Sequence, residues 1–368
     1  MSAVIVFQLV AGFVLLIAGA EGLVRGASRI ALALGIPPLI IGLTVVALGT
    51  SSPELAVSIG ASVTGRPDIT VGNVIGSNIL NVLFILGVSA ALIPLVVQRQ
   101  LVRLDVPIMI AASVAAWLFC LDGQVNRLEG LILFAGLIAY VGFLFNQLRQ
   151  ERGTEVEVQY DEKYGRNGGL SIGAWLLNAG FVVGGLAVLA LGSHWLVAGA
   201  TAIAELLGVS QLIIGLTIVA VGTSLPEVAT SILASVRGER DIAVGNAVGS
   251  NIFNLLAVLG LSALAAPVPL RVNTAAIHFD LPVMVAVAVA CLPIFFTGSL
   301  IARWEGFLFL GYYAAYTIYL ILYAQQHDAL PLFSDVMMLF VIPLTVLTLA
   351  VITWRAFGRQ RAASRTSG

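Results

Sequence analysis

The sequence predicts an all-α, polytopic membrane protein: an inverted repeat of two five-helix halves, together a ten-helix core, plus one extra C-terminal transmembrane helix. Three observations predict it. The 368 residues are 59% hydrophobic and only 10% charged, with a mean hydropathy of +1.03, whereas a soluble domain carries about 25% charged residues. Apolar runs of about 20 residues, the length that crosses a bilayer, recur along the whole chain. A long segment occurs twice, spaced so that its copies must enter the membrane from opposite sides. A water-soluble globule and a disordered chain are excluded by this apolarity. The net charge of −1 offers no global field to nucleic acid or another polyanion.

The first span falls at 3–24, and no Lys or Arg precedes it. It reads as a retained helix rather than a signal peptide, which needs a basic leading region. Further spans fall at 37–64, 71–94, 104–121 and 128–148, completing a first repeat over residues 1–148. Residues 149–171 are dense in charge and read as a linker loop. Spans at 172–196, 210–236, 244–266, 279–297 and 304–324 make the second repeat, residues 172–324. An eleventh span at 336–354 and a basic tail with Arg355, Arg359, Arg361 and Arg365, expected to be disordered, fill residues 325–368. Cys120 and Cys291 lie inside apolar runs and give no basis for a disulfide framework.

Basic residues collect on the cytoplasmic side of a membrane protein. With the N-terminus outside, 15 of the 18 Lys and Arg residues fall at cytoplasmic ends, and only Arg66, Arg127 and Arg271 fall outside. This places the linker and the C-terminus in the cytoplasm.

The duplicated segment runs from Leu39 to Gly87 and from Leu212 to Gly260, with 33 identities in 49 ungapped positions. Weaker echoes pair LDVPIM from Leu104 with FDLPVM from Phe279, and RLEG from Arg127 with RWEG from Arg303. Five spans per copy is an odd number, so the second copy is inverted. Inverted repeats are the organisation of secondary transporters, with the substrate site near the midplane where the repeats meet.

The polar residues of the spans concentrate in these copies. Glu54 and Glu227 are the carboxylates nearest the centre of a span, where charge is expensive and functional. Around them the lining is carboxylate, hydroxyl, amide and backbone oxygen, with no His or Cys nearby, a set suited to a hard cation such as Ca²⁺, Mg²⁺ or Na⁺. Pro53 and Pro226 each deny an amide donor to the carbonyl four residues back, Gly49 or Gly222. The helix is expected to break there and free carbonyls beside each Glu. The competing reading of the small residues is close packing between helices, which applies to Thr44, Ser58, Ser62, Thr217, Ser231 and Ser235 and to most of the glycines. His194, His278 and His327 are scattered, and no nucleophile motif, paired-His metal motif or phosphate loop is present.

At GTSSPE (49–54) with GNVIGSNILN (72–81), and again at GTSLPE (222–227) with GNAVGSNIFN (245–254), the sequence resembles the Ca²⁺/cation antiporter superfamily, and within it prokaryotic sodium/calcium exchangers. The resemblance spans about residues 1–324. It implies a secondary antiporter, not an enzyme, exchanging Na⁺ for Ca²⁺ by alternating access, with electrogenic Ca²⁺ extrusion and no cofactor. H⁺/Ca²⁺ or other divalent exchange is the alternative, and a cation channel the alternative from another class. It implies that Glu54 and Glu227 coordinate Ca²⁺, that Thr50 and Thr223 give backbone oxygens, and that Asn81 and Asn254 complete the central site. The Ala47 and Ala220 carbonyls with the Ser51, Ser77, Ser224 and Ser250 hydroxyls would line flanking Na⁺ sites. It implies that spans one and six slide across the bundle, with which their glycine-rich faces are compatible. Several relatives, including potassium-dependent exchangers, carry Asp where this chain has Asn254, which weakens any case for K⁺ co-transport. The expected setting is a prokaryotic inner membrane, with one complete site per chain and no nucleic-acid partner.

Overall fold

The computed structural model describes residues 3–34, 36–151, 172–207 and 220–366. In chain order the elements are α1 (Ala3–Leu34), α2 (Pro38–Thr50), α3 (Ser52–Val63), α4 (Pro67–Leu92), β1 (Leu95–Val96), α5 (Leu101–Cys120), β2 (Gln124–Val125) and α6 (Arg127–Glu151). The second half comprises α7 (Ile172–Leu206), α8 (Ala220–Gly222), α9 (Leu225–Val236), α10 (Arg240–Ala265), β3 (Leu270–Arg271), α11 (Ala276–Phe296), β4 (Leu300–Ile301) and α12 (Arg303–Ala324). The last apolar span is α13 (Leu330–Trp354). Among the described residues nine helices are long and apolar enough to cross a membrane, and the bent pair α2–α3 makes a tenth. The short α8 and α9 occupy the place of the span expected at 210–236, whose first residues, with Thr217, lie outside the described set. The linker expected at 149–171 is helical to Glu151 and otherwise lies outside it.

The prolines mark where helices begin. Pro38, Pro53 and Pro67 in the first half, and Pro226 in the second, sit in the first turn of α2, α3, α4 and α9, where a missing N–H costs nothing and the fixed φ suits the helix. The bend between α2 and α3 is 44°.

The inverted repeat is visible beyond the helices. Strand β1 pairs with β4, and β2 with β3, both antiparallel. Each short ribbon joins one half to the other. They are two small departures from an all-α fold, and they lie on opposite faces: β1 and β4 follow α4 and precede α12, while β2 and β3 follow α5 and α10. Widened π-helical turns also recur in register, at Asn81–Leu86 and Asn254–Leu259, and at Leu101–Asp105 and Ala276–Asp280. Such turns mark functional sites more often than chance would place them.

Helices α4 and α10 are the interior of the molecule, with 78% and 89% of their apolar windows buried, against 22% for α1 and α7. The glycines of α1 and α7 face each other, not the bundle. A Cβ added at Gly185 would lie 2.6 Å from the Leu23 amide nitrogen and 2.8 Å from the Gly19 carbonyl; at Gly192, 2.7 Å from the Leu16 nitrogen; at Gly12, 2.7 Å from the Leu196 nitrogen. The glycine-rich faces expected to be compatible with sliding thus lie against each other. These glycines let two backbones cross at contact distance, which makes α1 and α7 one paired body.

Outside the duplication, α13 leans on α11 and α12. Tyr312 Oη donates to Thr345 Oγ1 at 2.7 Å, and an apolar cavity of about 400 Å³ lies between the three helices, away from Glu54 and Glu227. The tail expected to be disordered continues as helix to Thr366. Arginine is a strong helix former, and its charge suits a helix C-terminus.

Replacing Gly185 by Ala should destabilise the protein by about 1–3 kcal/mol, because backbone rather than a flexible side chain blocks the new methyl. Gly184→Ala, one residue away with nothing within 4 Å of the added Cβ, should be neutral. Melting in detergent of the two variants, side by side, tests the crossing.

Candidate ion-binding site

The two helix breaks form the site. Ser51 (φ −81°, ψ 5°) and Ser224 (φ −90°, ψ 5°) sit at equivalent positions with the same non-helical backbone, in the bridge region where many active-site residues are found. Each break turns the next residues inward and places a carboxylate in the first turn of the following helix, Glu54 in α3 and Glu227 in α9.

The halves are clasped crosswise. Ser51 Oγ donates to Glu227 Oε1 at 2.9 Å, and Ser224 Oγ donates to Glu54 Oε1 at 2.8 Å. Each serine thus holds the carboxylate of the other repeat. Ser224 also lies 3.1 Å from Ser77 Oγ, which brings α4 into the cluster. Both carboxylates are 1% exposed, and among the described residues no Lys or Arg forms an ion pair with either; the ion pair Arg237–Glu21 lies apart from them.

A second tier fixes this geometry. Asn73 Nδ2 donates to Ser58 Oγ at 3.0 Å and to the Glu54 carbonyl at 3.3 Å, while its Oδ1 accepts from Thr223 Oγ1 at 3.1 Å. Asn246 repeats the pattern with Ser231 Oγ at 2.9 Å, the Glu227 carbonyl at 3.5 Å and Thr50 Oγ1 at 3.1 Å. Each asparagine bridges its own half's Glu helix to the other half's break. Asn81 Nδ2 donates to Asn251 Oδ1 at 3.0 Å, tying α4 to α10. Asn73, Asn246 and Asn251 were not among the site residues expected from sequence. Their signal is their identical place in both copies of the GN and GSN motifs.

Of the expected residues, Glu54, Glu227, Ser51, Ser224 and Ser77 are joined by direct hydrogen bonds. Thr50 and Thr223 enter through the asparagines. Ala47 is buried, and its carbonyl accepts the Ser51 N–H at 3.0 Å. Ala220 opens α8. Ser250, Asn81 and Asn254 are buried, and Asn81 and Asn254 begin the π-helical turns of α4 and α10. Glu54 Oε2, Glu227 Oε2, Asn81 Oδ1, Asn254 Oδ1 and Ser250 Oγ are all buried without a hydrogen-bond partner among the described residues. Orphaned buried polar atoms are rare and call for an explanation. Two of these five oxygens belong to carboxylates, and the Asn254 Nδ2 donor is buried without a partner as well.

The two ends of the site differ. Gly245 and Gly249 of α10 are buried, where an added Cβ would meet the Leu39 carbonyl and the Leu43 backbone at 2.8 Å. Of their repeat mates on α4, Gly72 is exposed and Gly76 half-buried. Thr50 and Asn246 are fully buried, whereas Thr223 and Asn73 are half-buried. Among the described residues, the polar cluster is covered toward the β1–β4 face and less covered toward the β2–β3 face.

Fold and site together define a secondary transporter, with a buried polar site where the broken helices of two inverted repeats meet. The chain belongs to the sodium/calcium exchanger family: a family model described as "Sodium/calcium exchanger protein" matches residues 4–146 and 177–322. It is 36% identical to the sodium/calcium exchanger MaX1 of Methanosarcina acetivorans over 341 residues, covering 85% of this chain and 97% of the relative. It is 41% identical to the inner membrane protein YrbG of Escherichia coli K12 over 263 residues, covering 70% of this chain and 79% of that protein. A structure of the sodium-calcium exchanger NCX_Mj, soaked with 2.5 mM Na⁺ and 0.1 mM Ca²⁺, superimposes with a TM-score of 0.71 at 30% identity, over 85% of this chain and 97% of that one.

The hydrogen-bond pattern separates two kinds of asparagine. Asn246→Leu should cost about 1–3 kcal/mol by stranding buried partners. Asn254→Leu strands none and should leave ion-free stability nearly unchanged, while reducing the rise in melting temperature on adding Ca²⁺. Thermal melts with and without Ca²⁺ distinguish the two.

Proposed function

We propose that this protein exchanges Na⁺ for Ca²⁺ across the membrane by alternating access, and that the exchange is electrogenic and extrudes Ca²⁺. One observation carries this reading: among the described residues, two buried carboxylates have no basic partner, each keeps an unpaired oxygen, and unpaired amide and hydroxyl oxygens of Asn81, Asn254 and Ser250 are buried as well. An uncompensated charge buried this way is costly, and a cation relieves the cost. Ca²⁺ takes six to eight oxygens at about 2.3–2.6 Å. The two carboxylates, the Asn81 and Asn254 amides and the backbone at Thr50 and Thr223 offer such a set, as substrate ligands. Two negative charges balance one Ca²⁺.

Na⁺ as the driving ion is supported by the neutral oxygens beside the carboxylates. Ser51, Ser77, Ser224 and Ser250, with the Ala47 and Ala220 carbonyls, supply dipoles that accommodate more than two Na⁺. A proton would need none of them. The two loads then differ in net charge, and the membrane potential biases exchange by about 2.3 kcal/mol per net charge per 100 mV. MaX1 and NCX_Mj are described as sodium/calcium exchangers, which supports the same reading here. The Lys and Arg distribution supports a cytoplasmic linker and C-terminus, so that the less covered β2–β3 face is the outer one. A prokaryotic inner membrane is the setting that the likeness to YrbG supports.

The decisive measurement is ⁴⁵Ca²⁺ uptake into proteoliposomes under imposed Na⁺, K⁺ and H⁺ gradients in turn, with valinomycin and K⁺ setting the potential. Uptake should follow outward Na⁺ and the potential. Uptake that ignores Na⁺ and follows a pH step alone would replace this reading with H⁺/Ca²⁺ exchange.

Glu54→Gln and Glu227→Gln should each abolish this uptake while leaving the folded protein intact, because one remaining charge cannot balance a divalent ion. Saturating Ca²⁺, worth about 2.7 kcal/mol at one hundred times its Kd, should stabilise the wild type and neither variant. Near-normal Ca²⁺ uptake by either variant would remove that residue from the site.

A further inference from the structure

The geometry points to Ser193 as a positioning residue that sets on which face of the membrane the ion site is open. This rests on reading the chain as an alternating-access antiporter. Ser193 lies on α7, and its Oγ donates to the carbonyl of Gly222. That carbonyl is the one Pro226 deprives of its helical N–H donor. The bond therefore satisfies the backbone at the second break, one residue before Thr223 and two before Ser224, which holds Glu54. Val197, one helical turn along α7, abuts Gly222 as well.

The first repeat lacks the device. The 173-residue offset of the duplicated segment makes Ala20 the mate of Ser193 and Gly49 the mate of Gly222. Alanine has no donor to offer the carbonyl that Pro53 frees. The contacts differ too: an added Cβ at Gly49 would lie 2.6 Å from Leu186 of α7, whereas by the repeat Val24 of α1 would correspond to Val197. The two breaks thus sit differently against the α1–α7 pair.

An inverted repeat reaches its opposite-facing state when the halves exchange arrangements. In that exchange the Ser193–Gly222 bond breaks, and Ala20 meeting Gly49 forms nothing in its place. The hydroxyl therefore stabilises only the state open to the β2–β3 face. A second contact acts the same way. Arg237 pairs with Glu21 of α1 at 2.8 Å, and the mates of these residues are Thr64 and His194, which form no ion pair. That pair is half-exposed, so its share is smaller and screened by salt.

Ca²⁺–Ca²⁺ self-exchange in proteoliposomes, with sidedness controlled, tests this without invoking a counter-ion. Apparent affinity at a face falls with the fraction of molecules open to it. In Ser193→Ala the half-saturating Ca²⁺ concentration at the β2–β3 face, relative to the other face, should rise about threefold to tenfold, the range expected for one hydrogen bond between membrane helices. Ser193→Thr, which keeps the hydroxyl, should retain the wild-type ratio. Ala20→Ser should move the ratio in the same direction as Ser193→Ala. An unchanged ratio in Ser193→Ala, or a shift of Ala20→Ser toward the β2–β3 face, overturns the proposal. If even the wild type shows no Ca²⁺ self-exchange, the transport reading fails instead. An impermeant thiol reagent then decides on the conformational claim alone: Gly72→Cys, with the native cysteines buried, should label more slowly from the β2–β3 face in ion-free membranes when Ser193 is Ala, and an equal rate overturns it.

Discussion

Two carboxylates buried in the membrane, with no cationic side chain paired to them among the described residues, dominate the physics of this protein. Each is expensive to hold, and the surrounding structure lowers the cost in steps. A serine from the opposite repeat donates to one oxygen of each Glu, and asparagines pin the backbone on which each Glu stands. The second oxygen of each carboxylate has no hydrogen-bond partner among the described residues. Because the serine of one half serves the carboxylate of the other, neither half is complete alone. The crossed arrangement makes the interface between repeats and the polar site one object.

Proline is what makes that crossing available. Without Pro53 and Pro226, the segments around Ser51 and Ser224 would continue as regular helix, their carbonyls satisfied and their serines carried round the helix. With them, the chain bends by 44° in the first half and both serines take the same bridge-region backbone. Irregular backbone at this depth is tolerated only where protein, water or ions satisfy it. The second break shows one solution, a hydroxyl from a neighbouring helix on the Gly222 carbonyl.

Duplication makes the two halves similar in sequence, but the structure treats them unequally. Gly245 and Gly249 pack against α2, while no described residue lies within 4 Å of a Cβ added at Gly72 or Gly76. The α1–α7 pair is the element in contact with both breaks, through Leu186 at one and Val197 at the other. Held as one body by glycine crossings, it touches both half-sites without belonging to the clasp between them.

The sequence by itself determined the membrane class, the repeat, the inverted topology and the breaks. These follow from composition, from a parity of spans and from local steric rules at proline, none of which depends on distant contacts. It also singled out Glu54 and Glu227, because charge in an apolar run is conspicuous. Tertiary structure decided the pairing: which serine meets which carboxylate, that Asn73 and Asn246 bridge the halves, and that the glycines of α1 face α7 rather than the bundle. A glycine or serine in a membrane helix reads alike whether it packs, ligates or bonds a backbone, since its role is set by what lies across from it. Ser193 shows this most plainly. Outside the strongly repeated segment and matched to an alanine, it carries no local signal, and only the approach of α7 to the Gly222 carbonyl gives it one.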